Sequence, residues 1–572
     1  MIIDPHSRPE DLVERGLHWW SNERFAIGWK GHVYFPGESA GEKTVAKLAL
    51  SLENAELATK AGDLRGVFGL FVWRKSDQSW QITVDNTGLY KIYFDRRGAS
   101  TSFLDLVRKR GIDRSGVSLD ALAQFLAYGA IIKGKTLALG IEELSGNEIL
   151  LLGGSQEIHK VVKVVTATGS ADATQAVREH FAMLAHSLQG RRLSVDATGG
   201  FDSRLVMSLL SRQELPFELA ISGQSGTPDT EIARRIAGML DRPFHLVGHD
   251  LGNFDEQVVA TFRDGDGQTD VRRLHRDRQA ALARLSRGVE VISHGGGGEF
   301  FRDHYVIQDF PFYGSSLVNV PRYHNLRMLP VGIPPEALSK RGRELVEVQT
   351  AAVLANCREM LSSTNNETYD KIYLFIRAPE HFGHYFSNYI NMGLDVTAPL
   401  LDYHNVRSAI ALSPWSRFFY GWHRKMITAN CPELAALPTA DGFTASSEPR
   451  QMLGDVRAYV ATQFRRGARK LSQRLTGKAK FYTVGAFVAD ASGFMGKLRT
   501  CMHLTPAIER LKSVGLLAPD ATASSLRDVH VGRALTLGMF LGAVDGDLNF
   551  VGADGERDVA LTISTVEVAH AP

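Results

Sequence analysis

The segment Leu193-Ser-Val-Asp-Ala-Thr-Gly-Gly-Phe-Asp-Ser-Arg-Leu-Val206 constrains the fold more than any other. A short strand-like run, Arg192 to Asp196, meets two glycines, and an apolar helical pattern starts at Asp202. Strand, glycine turn and helix in that order form the joint of a parallel, helix-flanked sheet. Glycines there let backbone N–H groups approach a ligand closely. The start of the helix favours an anion. Ser203 adds a hydroxyl donor. Asp202 repels a bare phosphate but suits one bridged by Mg²⁺. The chemistry read from this joint is therefore a nucleotide polyphosphate with Mg²⁺. Its spacing is not the Gly-x-x-x-x-Gly-Lys-Ser/Thr of kinase-type phosphate loops. A plain junction capped by Asp202 and Ser203 is the structural alternative.

The same alternation continues downstream. A strand fits Phe217 to Ile221, a helix Asp229 to Leu240, and a further strand Val289 to Ser293, followed again by glycines. From about Pro321 to Pro432 the pattern is mostly helical. Upstream, Val67–Trp73, Trp80–Val84 and Leu89–Phe94 read as strands joined by turns, the mark of antiparallel hairpins. Leu119, Leu122, Phe125 and Leu126 predict a helix over 118–128, and 149–152 reads as a closing strand. The small-residue stretch after Val165 reads as a linker or a helix start. With 572 residues, more than one core is expected, since single cores rarely exceed about 250–300 residues. The division is set at 1–165 and 166–572.

Composition removes several function classes. Lys plus Arg is 65 and Asp plus Glu 63, so no global charge draws a nucleic acid or a membrane. Three distant cysteines, Cys357, Cys431 and Cys501, make neither a disulfide framework nor a cysteine-rich zinc site. No apolar signal core opens the chain, and Ala534 to Val544 is too short to span a bilayer. A cytoplasmic protein without integral membrane association is expected. The basic run from Arg465 to Arg474, continuing to Lys478 and Lys480, reads either as a solvated helix face or as a docking face for an acidic peptide, phosphate or membrane surface. His381 and His384 could present two imidazoles to a metal, but helix packing or substrate lining reads better. Phe310, Phe312 and Tyr313 read as core or lid.

Thr198-Gly-Gly-Phe-Asp-Ser203 resembles the Ser-Gly-Gly-x-Asp-Ser pyrophosphate loop of the asparagine synthetase family of ATP pyrophosphatases. The likeness extends along most of the chain. Ile221-Ser222-Gly223 resembles the end of the strand that holds adenosine. Asp229-Thr230-Glu231 resembles the acidic opening of the next helix. Ser293-His-Gly-Gly-Gly-Gly-Glu-Phe-Phe301 resembles the second phosphate and Mg²⁺ loop, and Ala398-Pro-Leu-Leu-Asp402 the Arg-x-Pro-Phe-Leu-Asp segment. The segment 66–152 resembles the glutamine amidotransferase domain that precedes the synthetase domain.

The resemblance implies an α+β, Ntn-type amidotransferase-like sandwich over 1–165. It implies an α/β ATP-pyrophosphatase domain of adenine nucleotide alpha hydrolase type over 166–572, with helical additions. Thr198, Gly199, Gly200, Asp202, Ser203, Ser222, Gly223, Gly296 and Gly297 would hold ATP and pyrophosphate, and Asp202 and Glu299 would hold Mg²⁺. Asp395 stands where the family has a Glu that could take the proton of the attacking amine. Three departures stand out. Gly298 replaces an Asp, Ala440 replaces the lysine of the Lys-x-Gly-Phe loop, and Ile2 stands where the glutaminase cysteine would. Arg424, Lys425 and Arg204 are candidates for the missing positive charge. Without the thiol the first domain should release no ammonia. The expected function is an AMP-forming carboxylate–amine ligase using ATP and Mg²⁺. The first expectation is a lasso-peptide-type macrolactam synthetase, with a precursor peptide and companion processing proteins as partners. Ammonia-dependent amidation of a free acid, β-lactam-synthetase-like ring closure and a catalytically weak nucleotide-binding scaffold are the alternatives.

Overall fold

The computed structural model describes residues 1–153, 158–165, 172–440, 442–476 and 487–547. Its amino-terminal part carries a six-stranded antiparallel sheet. In spatial order the strands are His159–Val162, Glu148–Leu152, Ser79–Val84, Arg65–Arg74, Phe25–Tyr34 and His18–Ser21. Trp73 pairs across the hairpin with Trp80 at 4.9 Å between ring centroids, which fixes its register. A smaller antiparallel sheet joins Ile2–Ile3, Gly98–Ser100, Tyr93–Asp95 and Glu142–Glu143. The strand expected from Leu89 starts only at Tyr93. The Asp85 carboxylate accepts the N–H groups of Thr87, Leu89 and Tyr90 at 3.1, 3.0 and 2.8 Å, which holds that stretch in a loop. The helix expected at 118–128 forms as Leu119–Tyr128, with the Ser118 hydroxyl accepting from the Ala121 N–H.

The larger part is built on a five-stranded, wholly parallel sheet. In spatial order the strands are Phe244–Val247, Glu218–Ser222, Leu193–Asp196, Val291–Ser293 and Asp395–Thr397. The chain runs outward from Leu193–Asp196 through the next two strands. It then crosses back to lay Val291–Ser293 on the other side of that first strand. The order reverses there, and in open parallel sheets ligands bind outside the carboxyl ends of the strands at that point.

The two parts are packed against each other. Arg65 pairs with Asp402 at 3.1 Å, and the Thr87 hydroxyl donates to the Leu401 carbonyl at 2.9 Å. One apolar cluster contains Phe103, Leu122 and Leu126 from the first part together with Val271, Leu504, Leu535 and Phe540 from the second. The greasy stretch 534–544 lies in the helix Asp528–Val544 and is mostly buried in this cluster. Among the described residues no helix is long and apolar enough to cross a membrane. The stretch 166–171, expected as a linker, lies outside the described residues. So do the side chains of the basic run from Arg465 to Arg474, and Lys478 and Lys480 entirely.

Candidate functional site

The two glycine loops leave the adjacent strands Leu193–Asp196 and Val291–Ser293, so both open at the point where the strand order reverses. They touch. A Cβ on Gly295 would meet the Ser203 backbone N at 3.0 Å. One on Gly298 would overlap the Asp202 carboxylate and stand 2.6 Å from its Cβ. Gly298, where the resemblance expects an Asp, is therefore the residue type this packing permits. Gly297 has φ +94°, and a Cβ there would meet the Leu400 carbonyl carbon at 2.6 Å. Only glycine takes both that conformation and that approach without strain.

The first loop braces itself. The Thr198 and Ser203 hydroxyls lie 2.7 Å apart, and the Gly200 N–H donates to Thr198 Oγ1 at 3.3 Å. The Gly199 N–H donates to Asp229 Oδ1 at 2.9 Å, which ties the loop to the helix Pro228–Met239. On its other side the Ala440 N–H reaches the Gly199 carbonyl at 3.3 Å. Ala440 therefore does lie on the first loop, with a methyl group in place of a charge. Ser222 ends its strand, and the Gly223 N–H donates to the Val247 carbonyl at 3.0 Å.

Asp202 and Glu299 converge on one cation, the guanidinium of Arg302. Arg302 Nη2 lies 2.9 Å from Asp202 Oδ2 and 3.7 Å from Glu299 Oε1. Burial alone would raise the Asp202 carboxyl, but Arg302 and the His423 ring outweigh it and hold the group at about 2. His423, fully buried, places Nε2 3.1 Å from Asp202 Oδ1 without the angle of a hydrogen bond, so that contact is electrostatic. Burial and the Asp202 charge together raise the Glu299 carboxyl. Glu299 also accepts the Gly297 N–H at 3.1 Å, which shapes the second loop. His294 Nδ1 accepts the Gly296 N–H at 2.8 Å, directing Nε2 toward Asp196 at 3.8 Å.

The structure does not bring Asp395 to this site. Asp395 opens the strand Asp395–Thr397, at the edge of the sheet away from the glycine loops, and pairs with Arg191 at 2.8 Å. Arg424 is fully buried and holds Asp455 at 2.7 Å and the carbonyls of Phe419 and Ser446. Arg204 is likewise buried, donating to the carbonyls of Leu434, Leu437 and Pro438. Both guanidiniums are buried and donate to backbone carbonyls rather than facing the glycine loops as free charges. Lys425 is exposed on the helix Gly421–Asn430. It stands about 200° around that helix from His423, which faces Asp202, so it points away from the site. Asp402 anchors the two parts through Arg65 and caps the helix Tyr403–Ile410. His381 and His384 diverge: His381 lies on Arg273, while His384 Nε2 is 3.4 Å from Glu143 and 3.5 Å from Glu380. Lys91 already pairs with Glu143 there. Phe310 and Phe312 are exposed rather than core, with Phe310 stacked on Phe418 at 5.2 Å.

Arg302 and His423 are the site residues that sequence reading missed. For Arg302 a signal exists: it follows Glu299 by three residues, the spacing at which an acid and a base meet on a helical turn. His423 carries no such signal. Comparison with known proteins found no matching family model and no matching curated protein.

Proposed function

We propose that this chain is an ATP- and Mg²⁺-dependent amide-forming ligase of the asparagine synthetase type, which adenylates a carboxylate and lets an amine displace AMP. The observation that carries the reading is the pair of touching glycine loops at the strand-order reversal, with Asp202 and Glu299 converging on one cationic centre. Backbone N–H groups at the loops and at the start of the helix Phe201–Ser211 suit a pyrophosphate. Ser203 and Thr198 add hydroxyls, and Ser222 with Gly223 ends the strand beside which the adenosine would lie.

The donor set fits Mg²⁺. Two carboxylates already share one cation, and Asp202 Oδ1 is buried without a hydrogen-bond partner. Asp202 and Glu299 would hold the ion, which supplies charge neutralisation and polarisation of phosphoryl oxygens. Arg302 would then turn from the carboxylates to the phosphates, and that movement gives the site the positive charge that Ala440 lacks. A peptide carboxylate joined to an amine of the same chain, as in lasso-type macrolactam formation, is the first substrate reading. Amidation of a free acid by ammonia is the second.

ATP labelled at its α-phosphate is the direct test. Incubation with candidate acids and amines should yield labelled AMP, and labelled ADP instead would sink the mechanism. Mass spectrometry separates the substrate readings: ring closure loses one water, whereas amidation incorporates ammonia.

A further inference from the structure

Where the two parts of the chain meet, three metal-ligating side chains converge outside the residues assigned to the nucleotide. Glu143 ends the short strand Glu142–Glu143 of the smaller amino-terminal sheet. Glu380 lies in a π-helical turn, Pro379–Gly383, and His384 opens the helix His384–Asn391 that follows it. Turns of the π type are rare and concentrate at functional sites. One carboxylate oxygen from each Glu and one ring nitrogen of His384 all lie within 4.8 Å of one another. His384 Nε2 stands 3.4 Å from Glu143 Oε2 and 3.5 Å from Glu380 Oε2. Two ligands each about 2.0–2.1 Å from one tetrahedral ion are themselves about 3.3–3.4 Å apart, so both separations suit a shared metal.

The cluster is buried, with each of the three side chains 9% exposed or less. Glu380 Oε2 is shut off from solvent and has no hydrogen-bond partner. A carboxylate oxygen so placed is costly unless a cation or a proton meets it. Lys91 pairs with Glu143 Oε1, which leaves Oε2 turned toward His384. A Cβ on Gly383 would overlap Lys91 Cε, so glycine there lets the lysine in. One ammonium thus serves two carboxylates. Burial raises both carboxyls, and Lys91 offsets only part of the effect. Burial also holds the His384 imidazole at about 4, so the ring is neutral, the form that ligates metals. His384 Nδ1 lies 3.3 Å from the Tyr93 hydroxyl, a contact of the kind that orients a metal-binding ring.

We propose that Glu143, Glu380 and His384 form a binding site for a divalent transition metal of the zinc type, which ties the two parts of the chain together. An imidazole beside two carboxylates favours such an ion over Mg²⁺, which prefers an oxygen shell rich in water. The ion supplies the charge that Lys91 leaves unmet and gives Glu380 Oε2 a partner. The site is independent of the ligase reading.

Cobalt, whose visible absorption reports its coordination, is the probe. The full chain is stripped with a chelator and titrated with Co²⁺ in excess Mg²⁺. The wild type should take up about one equivalent with the absorption of a four- or five-coordinate ion, and Zn²⁺ should displace it. Glu380→Gln, which keeps the shape, and His384→Gln should each weaken binding at least about a hundredfold. Tyr93→Phe should weaken it about tenfold. Asp202→Asn should bind as the wild type does. Zn²⁺ should raise the melting temperature of the wild type and leave that of Glu380→Gln unchanged. Circular dichroism confirms that each variant is folded, and Tyr93→Phe carries the test where a ligand variant does not fold. Failure of the wild type to take up Co²⁺ overturns the site, as does undiminished binding in folded Glu380→Gln or in Tyr93→Phe. Binding lost in Asp202→Asn and kept in Glu380→Gln overturns it by assigning the ion to the glycine loops.

Discussion

Arg302 Nη2 stands 2.9 Å from Asp202 Oδ2, so the carboxylate best placed to hold a metal ion is occupied by a cation of the chain itself. The pairing is mutual. Asp202 and Glu299 raise the Arg302 guanidinium against the pull of burial, while Arg302 keeps Asp202 ionised. Without that guanidinium, two half-buried carboxylates would face each other across the loops. The site is held together by ion pairs of the kind that would draw in the proposed Mg²⁺, and Arg302 would compete with such an ion.

Arg302→Ala should therefore lower stability by about 2–3 kcal/mol in Mg²⁺-free buffer. That is less than the loss for a fully buried pair because the three side chains keep some solvent contact. Millimolar Mg²⁺ should recover most of the loss in the variant and shift the wild type little. Thermal melts with and without Mg²⁺ read this directly. A variant as indifferent to Mg²⁺ as the wild type would show that Asp202 and Glu299 do not share an ion site.

Gly298→Asp should not improve the site, although it restores the residue the resemblance expects. Its Cβ would overlap an Asp202 carboxylate that Arg302 pins in place. Overpacking of this kind costs about 1–3 kcal/mol. Binding of a fluorescent ATP analogue should weaken along with the melting temperature. Tighter binding by the variant would mean that the two loops open readily.

What the sequence disclosed was local. The joint at 193–206 is written in adjacent residues, so its strand, turn and helix could be read without the rest of the chain. The strand Phe25–Tyr34 could not. It is buried along its whole length, yet it contains Lys30, His32 and two glycines, and the polar groups are accommodated far away in sequence. Lys30 reaches Glu14 at 3.2 Å, and His32 reaches Ser187 at 2.9 Å. The edge strand Phe244–Val247, four residues long and half-buried, has too little pattern to announce itself. In the site, the glycine loops, Asp202 and Glu299 were legible, and the place of Asp395 and of the basic residues was not. Arg424 and Arg204 have the composition of phosphate ligands, and only long-range packing shows that they hold backbone carbonyls instead.

Asp395→Asn should leave amide formation within about twofold of wild type, because the side chain sits at the edge of the sheet away from the glycine loops. Its partner Arg191, 2.8 Å away, is part-exposed, so the stability loss should be about 0.5–1 kcal/mol. Steady-state rates beside a urea titration separate the two effects. A loss of kcat of a hundredfold or more with unchanged stability would return Asp395 to the role of base.

Lys163 supplies a test by pH. The side chain is buried and donates to the Val84 carbonyl at 2.6 Å and to Asn86 Oδ1 at 3.2 Å. Burial lowers its ammonium to about 7, with Asp85 offsetting only part of the effect. In the unfolded chain a lysine titrates near about 10.4. Between these values the unfolded state binds the extra proton, so stability rises with pH through that window. Below about 7 the penalty is present in full, on the order of 4 kcal/mol. Lys163→Met removes the titration and both hydrogen bonds. The variant should lose the rise between pH 7 and pH 9.5, flattening the slope by up to about 1.4 kcal/mol per pH unit. Urea midpoints of both proteins across that range measure the slope, and an equally steep rise in the variant would show that Lys163 stays charged when folded.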